Sequence, residues 1–103
     1  MSINPKVDAV VRRVIRADGA IEILDGPKTT REIAALIGAQ DSGLDAVNLR
    51  NGMVMLVDDL GYDKELNPNA IATALYHKIC VPGTTHQILG DVVIVPDADF
   101  GGR

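Results

Sequence analysis

The chain has 103 residues, room for one domain. It carries 10 Lys and Arg against 14 Asp and Glu, a net charge of −4, and 31 of its residues are Ile, Leu, Val or Phe. That apolar share is well above the roughly 20% below which chains stay disordered, while the acidic balance and the three aromatic residues, Tyr62, Tyr76 and Phe100, exclude a broad basic face or a base-stacking platform for nucleic acid.

Residues 1–9 read as a loose lead-in or a short helix, with Asn4 and Pro5 as helix-start signals. Residues 10–16 are rich in β-branched side chains and predict a strand. Val7, Val10, Val11, Val14 and Ile15 also fit helical spacing, so the helical alternative stays open. Asp18-Gly19 predicts a two-residue hairpin turn of type I′, and residues 20–24 the returning strand. Arg12, Arg13 and Arg16 form the one basic cluster. They are candidate anion contacts, or charges that keep an edge strand from aggregating.

Thr29 stands three residues before Glu32, the spacing of a capping box. Ile33, Leu36 and Ile37 follow as an apolar stripe, and Gly38 can end the helix. Residues 46–50 alternate like a half-exposed strand, and Asn51-Gly52 predicts a second tight hairpin. Residues 53–57 are apolar on both faces and belong inside a sheet covered on both sides. The acidic loop 58–65 contains Asp58, Asp59, Asp63 and Glu65 but lacks the alternating pattern of a calcium loop, so it reads as solvated.

Asn67-Pro68 predicts the start of a second helix, buried through Ile71, Ala74, Leu75 and Ile79 and stopped before Pro82. Residues 92–95 form a last strand, apolar on both faces, and residues 97–103 a frayed tail. The order β-β-α-β-β-α-β predicts an α+β fold, a single five-stranded mixed sheet packed with two helices, in one domain.

Chemistry has few candidates. Cys80 and His86 could serve a small hydrolase as nucleophile and base, but Cys80 closes an apolar stripe, where a thiol acts as a small hydrophobe. His77, His86, Asp91 and Cys80 lack metal-ligand spacing, so neither a metal nor another cofactor is expected. The single cysteine excludes an internal disulfide and fits a reducing interior. No apolar run approaches the ~20 residues that span a bilayer, and no export signal is evident. The best binding surface is composite. Asn67, Asn69, Thr73, Tyr76 and His77 lie on or near the polar side of the second helix, and Thr84, Thr85, His86 and Gln87 crowd the loop after it.

Residues 66–76, Leu-Asn-Pro-Asn-Ala-Ile-Ala-Thr-Ala-Leu-Tyr, and 87–95, Gln-Ile-Leu-Gly-Asp-Val-Val-Ile-Val, carry a resemblance. With the Asp18-Gly19 and Asn51-Gly52 hairpins and the helix between them, residues 10–96 resemble an uncharacterised family of small phage and plasmid proteins, a domain of unknown function. The resemblance implies a mobile-element origin and a cytoplasmic site of action in a bacterial host, without an assigned activity. By analogy with small phage accessory proteins, the expected role is non-catalytic counter-defence. The expected partner is a nucleotide-like small molecule or a host defence protein. A homo-oligomer, or an assembly module pairing through sheet edges, is the structural alternative.

Overall fold

A computed structural model describes residues 11–99. The lead-in at residues 1–9, the strand residue Val10 and the tail beyond Asp99 lie outside the described residues. The elements run β1 (Arg13–Ile15), β2 (Ile21–Ile23), α1 (Thr30–Ile37), β3 (Leu44–Asn48), β4 (Met53–Asp58), α2 (Ala70–His77) and β5 (Val92–Pro96). The strands form one sheet in the order β2-β1-β5-β4-β3. The fold is α+β, and Arg13–Ile15 is strand, not helix.

The mixed sheet expected from the sequence is wholly antiparallel in its described pairings. The reason lies in the excursion between β4 and β5. Leu56 pairs with Val93, so the chain leaves β4 and enters β5 at the same end of the sheet. A small ladder holds that excursion closed: the Asn69 amide donates to Ile88 O, the Gly90 amide donates to Asn67 O, and Pro68 bridges Leu89. α2 sits inside this closed segment and never acts as a crossover to a parallel strand.

Both hairpins use three-residue loops, not the two-residue type I′ turns expected. In the first, the Gly19 amide donates to Arg16 O and the Arg16 amide donates to Ala20 O. Only Gly19, at φ 97°, is left-handed, whereas a type I′ turn needs two such residues. In the second, the Leu49 amide donates to Met53 O around residues 50–52, and Arg50 itself is left-handed at φ 67°.

The core has two halves, one on each side of the sheet. Val14, Val54, Leu56, Val93 and Val95 pack against Ile33, Ala34 and Ile37 of α1. Ile15, Met53, Met55, Val92 and Ile94 face the other way and pack with Ala72 of α2 and Ile88. This three-layer arrangement explains why β4 and β5 are apolar on both faces. The α1 capping box is present as read: the Thr29 hydroxyl accepts from the Glu32 amide, and the Glu32 carboxylate accepts from the Thr29 amide. Gly38 closes the helix at φ 72°, a conformation costly for other residues.

Several elements differ from expectation. β3 spans Leu44–Asn48 rather than residues 46–50, because the hairpin loop takes up Arg50. Asp58 belongs to β4 and is buried, not part of a solvated loop. The N-cap of α2 is Asn69 rather than Asn67. The buried face of α2 runs through Ala72, Leu75, Tyr76 and Ile79, while Ile71 and Ala74 are exposed. At the C-terminal side, Asp97–Asp99 form a 3-10 turn rather than frayed chain, because Asp99 binds Arg12 through two hydrogen bonds of 2.8 and 3.0 Å.

Candidate functional site: an acid-flanked aromatic cleft

The geometry starts from Asn69, which is fully buried. Its Oδ1 accepts from the Ala72 amide, and its Nδ2 donates to Ile15 O and Gly90 O. One side chain therefore fixes the start of α2 to β1 and to the chain entering β5. One turn later, the Thr73 hydroxyl accepts from the Ile88 amide at 2.9 Å. One turn further on, His77 Nε2 donates to His86 O at 2.7 Å; a carbonyl can only accept, so this nitrogen carries the proton. α2 thus holds the loop at residues 86–88 along its length.

That clamp positions the His86 ring. Its Nδ1 lies 3.3 Å from the Tyr62 hydroxyl, and the two ring centroids are 5.5 Å apart. Tyr76 meets the same imidazole edge-on at 5.8 Å, and its own ring lies tilted against that of His77 at 6.0 Å. Such separations and tilts are favourable for ring pairs. The Cys80 thiol beside the Tyr76 hydroxyl raises the phenol's pKa above its ordinary value.

A cleft of about 180 Å³ opens beside this cluster, lined among others by Asp45, Val57, Asp59, Tyr62, His86 and Gln87. Asp45 and Asp59 are exposed on its flanks and form no ion pair among the described residues. A carboxylate flank beside aromatic faces attracts cationic groups and repels anions.

The structure divides the sequence-predicted residues. Tyr76, His77 and His86 come together with Tyr62, and Gln87 lies in the cleft. Asn69 and Thr73 build the scaffold behind it. Asn67 and Thr85 are exposed outside the cleft lining, and the Thr84 hydroxyl donates to Val81 O in its own turn. The arginines sit elsewhere, engaged with the chain itself. Arg12 pairs with Asp99, Arg16 with Glu22, Asp91 and Leu36 O, and Arg13 donates to Val11 O. Cys80 and His86 share no hydrogen bond; their neighbours are Tyr76 and Tyr62 respectively. Tyr62, Asp45 and Asp59 are the residues sequence reasoning missed. Tyr62 follows the buried Gly61 in a charged loop, and an exposed tyrosine there is the one local signal.

A second, larger groove of about 660 Å³ runs between α1 and β3, lined by Arg31, Ala34, Ala39, Gln40 and Leu44 among others. It holds none of the sequence-predicted residues. No group of three or more His, Cys, Asp or Glu among the described residues is placed to hold a metal, and no described helix is long and apolar enough to cross a membrane. No family model matches the chain, and neither a curated protein nor a solved structure matches it.

Proposed function

We propose that this chain is a non-catalytic binding protein of phage or plasmid origin. It acts in the bacterial cytoplasm by occupying a host defence protein at the aromatic cleft. The origin rests on the resemblance carried by residues 66–76 and 87–95. The binding role rests on one observation: Tyr62, His86, Tyr76 and His77 form a cluster of tilted and edge-on rings beside a cleft flanked by the exposed Asp45 and Asp59.

The volume and charge of the cleft select the partner. At about 180 Å³ it is smaller than the roughly 300–1,000 Å³ that encloses a small-molecule ligand. Its carboxylates oppose a phosphate. They suit an arginine or lysine side chain presented by a protein surface, with the ring faces supporting the cation. A nucleotide-like signal is the reading this charge pattern disfavours.

The test compares baits in a host infected by the element. The wild-type chain should retain a defence protein that Tyr62→Ala and Asp45→Asn/Asp59→Asn lose, with retention weakening as salt rises. In parallel, nucleotides at high excess should leave the melting temperature unchanged. A nucleotide that stabilises the chain, with no partner lost on Tyr62→Ala, would overturn the proposal in favour of a ligand sponge.

A further inference from the structure

The two edges of the sheet are finished differently. At the β3 edge, the Leu49–Met53 and Asp59–Gly43 hydrogen bonds set the alternation, so the Ala46 amide points away from the sheet. It is already satisfied, because the Asp45 carboxylate accepts from it at 2.9 Å. A charged side chain that covers its own edge in this way discourages strand addition.

Among the described residues, the β2 edge carries no such cover. The Leu24 amide donates to Arg12 O and the Arg16 amide donates to Ala20 O. By alternation, the N–H and C=O groups of Ile21 and Ile23 therefore point outward. Their side chains are among the most exposed large apolar groups of the described residues, at 52% and 67%. Both sit on the α2 side of the sheet, opposite Ile15 and Arg13, while Glu22 sits on the α1 side, opposite Val14.

We infer that β2 pairs with β2 of a second copy of this chain, antiparallel about a two-fold axis at Glu22, joining two sheets into one of ten strands. Three features of the strand agree on this occupant and this register. First, a two-fold at Glu22 sets Ile21 against Ile23 of the other copy and uses every outward polar group of the pair, giving four backbone hydrogen bonds. Second, the same register brings four isoleucines together on one face and removes them from water. Third, the two Glu22 carboxylates that meet on the other face are each already held by a guanidinium, that of Arg16, which also holds Asp91. Arg16 holds its own Glu22 through Nε at 2.8 Å and Nη2 at 3.1 Å. Like charges directly opposite would otherwise oppose pairing. A closed two-fold contact of one patch with itself also ends growth at the dimer. This surface is separate from the aromatic cleft, and the inference does not depend on the proposed function.

Light scattering on the purified chain across micromolar to millimolar concentration is the first test. The mass should rise from 11.0 kDa toward twice that value. Ile23→Lys should remain at the monomer mass with an unchanged circular dichroism spectrum, since the side chain is exposed in the protomer. The register is tested by Glu22→Cys in a Cys80→Ala background. Across a non-hydrogen-bonded pair the Cα atoms stand about 4.5 Å apart, within disulfide reach. Oxidation should give a covalent dimer, while Asp18→Cys in the same background should not. A wild-type chain that stays monomeric throughout, or a dimer that survives Ile23→Lys without Glu22→Cys cross-linking, would overturn the inference.

Discussion

Asn69 does at one position what sequence reasoning divided between two. Asn67-Pro68 carries a familiar helix-start pattern, yet Pro68 bridges Leu89 and Asn67 O accepts from Gly90. The helix begins two residues later, where an asparagine can cap it and also reach two backbone carbonyls across the sheet end. Nothing local distinguishes the two asparagines, because the deciding partners, Ile15 and Gly90, are 54 and 21 residues away in sequence. Their consequences differ sharply. Asn69→Ala removes a cap and strands two buried carbonyls, a loss of about 3 kcal/mol. At roughly 4–8 °C per kcal/mol, thermal melting should show a fall of more than about 10 °C. Asn67→Ala should change the melting temperature little, since that side chain is exposed and makes no described hydrogen bond. The candidate site divides in the same way. His77 and His86 were legible as hydrogen-bonding groups, but their meeting with Tyr62 depends on the loop fold and is absent from local pattern.

The helices show when periodicity suffices. In α1, Ile33, Leu36 and Ile37 stand among charged or small residues, and the capping box sets the start, so boundaries and buried face were both legible. In α2, Ala70, Ile71, Ala72, Ala74 and Leu75 leave only a weak apolar stripe, and its phase is underdetermined by composition. The anchor at Asn69 then turns Ala72 inward and Ala74 outward, one position away from the expected stripe. The two alanines report this directly. Ala72→Leu forces a larger side chain into a fully buried place and should cost about 1–3 kcal/mol in denaturant unfolding. Ala74→Leu should be close to neutral. The strands were legible where apolar residues fill both faces, as in β4 and β5. The hairpin loops were not, because an Asp-Gly or Asn-Gly pair marks a turn without fixing its length.

At the scale of the molecule, the acidic excess is partly used as structure. Burial alone would raise the Asp58 pKa. Hydrogen bonds from Lys64 Nζ, the Ser42 hydroxyl and the Leu60 amide outweigh that and hold the carboxyl below its ordinary value. Lys64 also binds Asp41, so one cation ties the loop after β4 to the turn before β3. Glu22, Asp25, Glu32 and Asp41 are held low too, each chiefly by a hydrogen bond, but from exposed positions. A carboxyl with a depressed folded-state pKa is charged in the native state where the unfolded chain already binds protons. Its stabilisation is therefore present above the ordinary carboxylate range and disappears as the pH falls through the folded value. Acid titration followed by circular dichroism should show stability declining below about pH 4. Asp58→Asn should flatten that decline and lower stability at neutral pH.

Among the described elements, strand β5 alone touches both hairpins through the sheet, lying between β1 and β4. It also follows both of them in the chain. During synthesis each hairpin therefore emerges with its central neighbour still missing. Val14 and Ile15 of the first, and Val54 and Met55 of the second, wait with apolar surface uncovered. No stable intermediate of the first hairpin plus α1 is expected, since α1 packs mainly on Val54, Leu56, Val93 and Val95 of β4 and β5, which come later in the chain. Assembly of the full sheet then waits for Val92–Pro96, and a nascent chain stalled before that strand should present the uncovered apolar surface that chaperones and proteases recognise.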